Sequence, residues 1–279
     1  MPTFPAPHPV PVRVDVPAGS LHVVAGERDD VVVTVLPADP TKPGSVRAAE
    51  EVRVEHDGDA VTITYPASWK QYLLPFSAGT AAITVELPAG SHLSGKTGSV
   101  LAEGPLGEVD LALNGGDARI EEASRLTLTV AAGAVVVDRA PGPTSIKASA
   151  GSVRIGELGG QGTVRAANGA TTVGSVTGDL TVTGAHSEIA VGRVRGTLTA
   201  TAAHATIRVA DVAGTVRLTT SYGSIEVGVP EGVAAWLDVA SAHGTVRNHL
   251  TPTDGPVEHE ATAEIHASTS YGDVIVRRP

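Results

Sequence analysis

Three histidines stand at equivalent positions of a repeated pattern, and histidine is the commonest metal-binding side chain. His186 and His204 lie 18 residues apart, and His243 follows later in the same series. A zinc site needs several ligands that converge on one ion, but no carboxylate joins these histidines in the series. His186 and His204 are therefore metal candidates without enough partners. We predict no metal and no cofactor, and expect similar side chains to stack along a corner of the fold.

Two glutamates in another column of the repeat, Glu122 and Glu157, are the candidates for acid–base catalysis. A carbohydrate-active lyase or hydrolase needs carboxylates that converge on one groove. Arg139 stands between these two in the series, and the later members Arg193 and Asp211 again carry opposite charges. The alternation predicts ion pairs between neighbouring repeats, each worth about 0.2–1 kcal/mol. We therefore predict no catalytic residues and no enzyme.

Half of the aromatic residues are concentrated in one short segment, 65–76, which is rich in turn signals. Rigid ring side chains on a loop are good anchors for a partner. Alternatively, the segment folds back and covers the core of the first repeat. The predicted binding residues are Tyr65, Trp69, Tyr72 and Phe76.

The elements that position these residues form a short repeat. A glycine or small residue is followed by alternating apolar positions, and successive anchors are 18, 17, 18, 18, 18, 18, 18, 21 and 28 residues apart. Period-two alternation predicts short strands with one buried face. Glycines nine residues after the anchors predict corners that need positive φ or close backbone approach. The anchors are Gly98, Gly116, Gly133, Gly151, Gly169, Ser187, Ala205, Gly223, Gly244 and Gly272.

Such short strands cannot bury an apolar face alone, so equivalent strands of successive coils must pair at roughly 4.8 Å. A sandwich would not keep one residue type in each column. The sequence therefore predicts an all-β fold, a parallel β-helix-like solenoid of about ten coils with roughly 18 residues each. The solenoid repeats are predicted over residues 91–279.

The flanking residues lack this register. Residues 10–90 contain alternating valines, and we expect an N-terminal β cap, antiparallel or irregular, that is continuous with the solenoid and covers its first edge. A short helical turn is predicted at 45–51, and a flexible Pro-rich stretch at 1–9. At the far end, we expect the charges and proline of 277–279 to block an edge and Trp236 to plug the last coil.

Charge and composition restrict the partners. The net charge of −10, without a basic stripe, argues against nucleic acid and anionic membranes. Cysteine is absent, which excludes disulfides and thiolate metal sites. The first twelve residues carry five prolines and no signal-peptide pattern, and no apolar run is long enough for a membrane span. We therefore expect a cytoplasmic location.

Several phrases of the repeat resemble a known family. The sequences GSVRI at 151–155, TGDLTV at 177–182 and SYGDVIV at 270–276 resemble the bacterial β-strand-repeat family of unknown function labelled "putative adhesin", over roughly residues 10–279. VAAWLDV at 233–239 resembles its actinobacterial branch. The resemblance implies a β-solenoid module without catalytic residues.

The resulting functional hypothesis is a non-catalytic binding or scaffolding protein. It would present β-solenoid faces and the aromatic loop to an unknown protein or other macromolecule, as a monomer or weak homo-oligomer. One alternative is a carbohydrate-active lyase or hydrolase on a β-helix. A second alternative is a structural, self-assembling rod.

Overall fold

The structure of the chain, a computed structural model, describes residues 2–58, 60–65, 79–251, 255 and 261–279. Contacts divide the chain into two compact units, one ending at Val137 and one beginning at Asp138. Within each unit, strands stack in parallel pairs. The register of β13 with β14 is constant, and the register of β2 with β7 shifts once, between Val16 and Ser20. The prediction of an all-β, parallel solenoid is confirmed.

The first unit is built around one long strand, β2, which pairs in parallel with β5, β6 and β7. β7 pairs in turn with β8, again in parallel. The alternating Val12, Val14 and Val16 of β2 are buried, as the period-two pattern predicts. The strands are β1 (Thr3–Pro5), β2 (Pro11–Gly26), β3 (Asp30–Pro37), β4 (Arg53–Asp57), β5 (Ala60–Thr64), β6 (Ala81–Pro88), β7 (His92–Leu113) and β8 (Ala118–Ala132), and β9 (Val135–Ala140) crosses into the second unit.

The expected N-terminal cap is partly antiparallel and partly solenoid. β3 runs antiparallel to β1 and β6, and β4 runs antiparallel to β5. β2 itself already lies in solenoid register, because Leu21 pairs with Val100. Residues 3–5, expected to be flexible, form β1 and pair with β3. The boundary at residue 90 stays a prediction, since a cap that is continuous with a solenoid has no sharp edge.

The helical turn predicted at 45–51 is present as a helix, α1 (Pro43–Glu51). Proline suits its first turn, because the ring presets the helical φ and the missing N–H would have no partner there. Ser45 and Ala48 form its buried side. No helix among the described residues is long and apolar enough to cross a membrane.

The strand pairs that build the coils of the second unit are parallel. One buried column runs from strand to strand through Ile146, Val164, Val182, Ala200 and Leu218. After β9, the strands are β10 (Thr144–Ala150), β11 (Val153–Leu158), β12 (Gly162–Val176), β13 (Asp179–Val194), β14 (Thr197–His204), β15 (Ile207–Val212), β16 (Thr215–Tyr222), β17 (Ile225–Gly228), β18 (Val233–Ser241), β19 (Val246–Asn248), β20 (Ala261–Tyr271) and β21 (Val274–Arg277).

The last two coils are stacked in the reverse of their sequence order. β20 pairs with β16 on one side and β18 on the other, and β21 pairs with both β17 and β19. The expectation that every coil stacks on its predecessor is therefore wrong here. Ile265 of β20 is fully buried between two coils, whereas Leu237 and Val239 of β18 are only half-buried. The inner position of β20 therefore buries Ile265 on both sides and leaves β18 with one open edge.

This order changes two predictions for the C-terminal region. Trp236 does not plug the core: it lies on β18 with its side chain 57% exposed. Arg277 ends β21, which is an inner strand and needs no edge blocker. Arg278 instead donates hydrogen bonds to the carbonyl oxygens of Val229, at 3.2 Å, and Pro230. These bonds hold Arg278 against the segment that connects β17 to β18.

The two glycine columns have different physical causes. At the anchor Gly169, φ is +126°, and an added Cβ would stand 1.9 Å from the carbonyl oxygen of Gly151. Gly178, in the second column, has no positive φ. An added Cβ there would stand 2.2 Å from the carbonyl oxygen of Gly160 and 2.4 Å from that of Gly159. Position 178 thus needs glycine because neighbouring coils approach each other closely, whereas Gly169 combines such an approach with a positive φ.

Candidate binding site

A stack of five aromatic rings runs along one corner of the second unit, and we call it the ring ladder. Neighbouring ring centroids are 5.1, 4.8, 4.8 and 4.6 Å apart, and the planes differ by 7°, 2°, 3° and 17°. The spacing matches the distance between paired strands, roughly 4.8 Å, so each coil supplies one ring. The predicted stacking is confirmed. The ring ladder comprises, in stacking order, His186, His204, Tyr222, Tyr271 and His243.

All five side chains of the ring ladder are exposed to solvent. Tyr222 is 50% and Tyr271 46% exposed, which is unusual for large ring side chains inside regular structure. Because the ring faces cover one another, the ladder presents ring edges outward. Those edges carry phenol hydroxyl groups and imidazole nitrogens, which both donate and accept hydrogen bonds.

The two metal candidates, His186 and His204, meet face to face in the ring ladder. Their ring centroids are 5.1 Å apart and their planes are 7° from parallel. Among the described residues, no group of three or more His, Cys, Asp and Glu side chains could hold a metal ion.

A second group of functional side chains, the tryptophan cluster, lies on the outward faces of β16, β18 and β20. The rings of Trp236 and His266 meet edge-to-face, with centroids 5.0 Å apart. His266 Nε2 is 2.8 Å from Glu264 Oε1, and His266 Nδ1 is 3.3 Å from Asp238 Oδ2. Arg217 completes the cluster, 3.8 Å from the Glu264 carboxylate. The arrangement follows from register, because Trp236 pairs with Glu264 and Asp238 pairs with His266.

The charges of the tryptophan cluster stabilise one another. The hydrogen bond to Glu264 is the largest cause that raises the pKa of His266, and Asp238 acts in the same direction. Arg217 opposes this rise through its positive charge. The hydrogen bond from His266 in turn lowers the pKa of Glu264. The site therefore favours a positive imidazolium at His266 beside an ionised Glu264 carboxylate.

At Asp211, the ion pair of the predicted column is formed with a different residue. Arg193 is the register partner of Asp211, but Arg195 donates the two bonds to the Asp211 carboxylate, at 2.7 and 3.0 Å. Arg195 reaches Asp211 from the end of its strand, beside the corner. Ion pairs between coils also form in another column, where Arg208 contacts Glu188 at 2.8 Å and Glu226 at 3.5 Å.

The two glutamates of the catalytic alternative lie in different units, Glu122 on β8 in the first and Glu157 on β11 in the second. Tyr65 is half-buried, and its backbone N–H donates to the Asp15 carbonyl oxygen at 2.9 Å. The remaining loop candidates, Trp69, Tyr72 and Phe76, lie outside the described residues, so binding by this loop stays a prediction.

Sequence reasoning did not find the tryptophan cluster. A sequence signal does exist: Trp236 and Asp238, like Glu264 and His266, alternate with apolar residues and so must share an outward face. The four side chains nevertheless meet only because β20 lies directly beside β18. Their register could not be identified from spacing alone, because the anchors Gly244 and Gly272 of these two coils are 28 residues apart and not 18.

A family comparison agrees with this coil architecture. The model of the Toastrack DUF4097 family matches residues 13–277. The chain belongs to the Toastrack DUF4097 family. This membership confirms the resemblance predicted from the repeat phrases, and the actinobacterial branch stays a prediction. No curated protein matches this Toastrack chain.

Solved structures similar to the Toastrack chain include proteins whose printed titles mention adhesion. A putative adhesin from Parabacteroides merdae ATCC 43184 is 14% identical, with a TM-score of 0.40, and the match covers 99% of this chain and 94% of the other. A putative adhesin from Bacteroides fragilis NCTC 9343 is 12% identical, with a TM-score of 0.27 and coverage of 100% and 95%. A putative cell adhesion protein from Clostridium sporogenes ATCC 15579 is 10% identical, with a TM-score of 0.21 and coverage of 100% and 98%.

Proposed function

We propose that the chain is a non-catalytic binding protein that contacts another macromolecule through the ring ladder. The observation that carries this proposal is the exposure of Tyr222 and Tyr271, at 50% and 46%, in the middle of a continuous ring stack. Tyrosine is enriched at protein interfaces because it combines a large apolar body with a hydroxyl group. A rigid stack also loses little conformational freedom on binding.

The carboxylates of the tryptophan cluster favour binding over sugar hydrolysis. A glycosidase needs one carboxylic acid with a raised pKa, which protonates the leaving oxygen. Glu264 has a lowered pKa, and its carboxylate bonds to His266. Asp238 bonds to the other nitrogen of the same ring. Glu264 therefore does not have the environment of a general acid, so the lyase or hydrolase is the less favoured function.

Two predictions from the sequence accompany this proposal. One is a contribution of Trp69, Tyr72 and Phe76 to partner binding. The other is a cytoplasmic location, which fractionation of cells that express the tagged protein would test. A self-assembling rod is the alternative to a hetero-partner, and light scattering over a range of protein concentrations distinguishes the two.

The test of the proposal compares partners captured from a native lysate by two matched double variants. Tyr222→Ser with Tyr271→Ser removes the centre of the ring ladder. Arg208→Ser with Glu226→Ser changes the same number of exposed side chains in another column. Both proteins are first shown to be folded by circular dichroism and thermal melting.

The proposal expects the ladder variant to lose a partner that the wild-type protein and the control variant both retain. Retention of every wild-type partner by a folded ladder variant would contradict it. If the double variant is unfolded, His204→Gln replaces it, because this change interrupts the stack at one exposed position and keeps a polar side chain.

A further inference from the structure

A groove lies beside the tryptophan cluster, on the outward side of the last coils. Its volume is about 450 Å³, within the range of roughly 300–1,000 Å³ that is typical of small-molecule sites. Backbone and small side chains form much of its lining, so its chemistry comes from a few groups. The lining residues are Gly214, Thr215, Trp236, Thr262, Ala263 and Glu264.

Trp236 supplies the apolar wall of this groove. Its side chain is 57% exposed, although it lies within a regular strand. The edge-to-face contact with His266 holds the indole in place while more than half of Trp236 stays accessible. An indole that is fixed and still exposed is a ready platform for an apolar surface of a ligand.

Polar groups stand next to this platform. Glu264 Oε1 accepts from His266, whereas Glu264 Oε2 has only a long contact with the Thr215 hydroxyl, at 3.4 Å. The Oε2 atom therefore has capacity to accept a further hydrogen bond. The hydroxyl groups of Thr215 and Thr262 add donors and acceptors at the rim.

The charge of the groove is already compensated by the protein. Glu264 is paired with His266 and lies 3.8 Å from Arg217. A cationic ligand would have to compete with these two groups for the same carboxylate. A neutral ligand rich in hydroxyl groups can use the remaining lone pairs without disturbing the pairs.

From this combination we infer that the Trp236 groove binds a neutral saccharide, through one or two sugar rings. A pyranose has an apolar C–H face that packs on an indole, and its hydroxyl groups radiate from the ring edge. Trp236 would contact the face, and Glu264 with the two threonines would bond the hydroxyl groups. This site is separate from the ring ladder, and it adds a ligand class to a binding protein without adding a reaction.

The test uses the indole N–H resonances of the ¹⁵N-labelled full chain. The sequence contains two tryptophans, and Trp236→Phe identifies which resonance belongs to Trp236. The probes are cellobiose, maltose and N,N′-diacetylchitobiose at millimolar concentration, and choline chloride as a cation. We expect at least one disaccharide to shift the Trp236 resonance saturably while choline leaves it unchanged.

Two variants test whether the disaccharide binds at Trp236 or elsewhere on the last coils. Trp236→Ala should raise the Kd of that disaccharide roughly tenfold or more, as expected for loss of an aromatic anchor. Saturation-transfer NMR measures this Kd, because the reporting indole is absent. Val246→Ala, which changes another exposed apolar residue of the last coils, should leave the Kd unchanged.

Three results would overturn the inference. They are no saturable shift with any of the three disaccharides, a shift with choline alone, or full disaccharide affinity in folded Trp236→Ala. Each is independent of the proposed function, because the Tyr222→Ser, Tyr271→Ser variant should still bind the disaccharide. Loss of the macromolecular partner in one protein and loss of the saccharide in the other can thus be told apart.

Discussion

Tyr222 and Tyr271 stack with ring centroids 4.8 Å apart and planes within 3° of parallel, although a complete coil lies between them in sequence. They are neighbours because β20 lies directly beside β16, and β18 lies beyond β20. The same order continues the stack to His243, on the outermost coil. The exchange of coil order therefore sets the order of the rings in the ring ladder and brings Arg217 of β16 to Glu264 of β20.

The coil order is directly testable by disulfide formation, since the chain contains no cysteine. Thr219 and Ser268 are register partners whose hydroxyl oxygens are 3.5 Å apart. Paired strands hold such residues within the Cα separation that a disulfide needs, about 4.4–6.8 Å. Thr219→Cys with Ser268→Cys should therefore crosslink under mild oxidation, as detected by mass spectrometry of the digested protein.

The matched control joins Thr219→Cys with Ala240→Cys. Ala240 is the register partner of Ser268 on the far side of β20, so a whole strand separates it from Thr219. This pair should stay reduced within one molecule. An efficient crosslink in the control, without one in the first variant, would mean that the coils stack in sequence order.

The ring ladder should contribute to stability in proportion to the number of stacked neighbours. Tyr222 has two neighbours, His204 and Tyr271, whereas His243 has one. Because an aromatic pair is worth about 0.5–1.5 kcal/mol beyond its buried area, Tyr222→Leu should lower the free energy of unfolding by about 1–3 kcal/mol. His243→Leu should cost about half as much, as measured by urea denaturation. Equal or negligible losses would show that the stacking is not stabilising.

Close approach of neighbouring coils should make the second glycine column intolerant of even one methyl group. An added Cβ at Gly178 would stand 2.2 Å from a backbone oxygen, so Gly178→Ala must push two coils apart. We expect a loss of about 1–3 kcal/mol or more in the free energy of unfolding, as for other overpacked sites. Urea denaturation followed by circular dichroism measures it.

Gly115→Ala is the control for this prediction. Its nearest neighbour would be 4.0 Å away, and Gly115 has no positive φ. The control should therefore change stability little. If Gly178→Ala were as stable as the control, the coils would not touch at this corner.

The Arg195–Asp211 pair should show a small but measurable coupling. Both side chains are partly exposed, so the two bonds are screened by solvent, and a coupling of about 0.5–1 kcal/mol is expected. A double-mutant cycle of Arg195→Ala and Asp211→Ala measures it, and the coupling should fall with added salt. The same cycle with Arg193→Ala should give a smaller coupling. A larger coupling energy in the cycle with Arg193 would mean that Asp211 forms its ion pair with Arg193, its register partner, and not with Arg195.

The tryptophan cluster should make stability depend on pH through His266. Its pKa is raised above the ordinary value of 6.5 by Glu264 and Asp238, against the opposing charge of Arg217. A raised pKa means that the folded protein holds the proton more tightly, so this contribution is complete below the ordinary value and is lost as the pH rises through the folded-state pKa. The stability difference between wild type and His266→Gln should therefore be larger at about pH 5.5 than at about pH 8.5.

An NMR titration checks the cause of this dependence. The Cε1–H resonance of His266 should report a pKa above 6.5 in the wild type and a lower one in Glu264→Gln. Urea denaturation at several pH values supplies the stability difference. A pKa that is unchanged in Glu264→Gln would mean that the carboxylate does not hold the proton on His266.

Much of the fold could be predicted from local pattern. Period-two apolar positions define the strands, and the constant interval aligns equivalent residues such as His186 and His204 in one column. The stacking of these residues follows, because parallel strands in constant register hold equivalent side chains one above another. The pairing of β2 with β7 could not be predicted in this way, because the two strands lie far apart along the chain and no constant interval links them.

The sequence by itself determined the coil, its corners and the column that carries the exposed rings, because these depend on contacts within one repeat or between equivalent positions. Only the tertiary structure decided which coil lies next to which. Adjacent coils have similar apolar columns, so pairing by pattern alone is nearly degenerate. The inward face of β18, with Leu237 and Val239, is no less apolar than that of β20, with Ile265, and yet β20 takes the inner position. The contact of Arg217 with Glu264 depends on that choice of neighbour, because it joins β16 directly to β20.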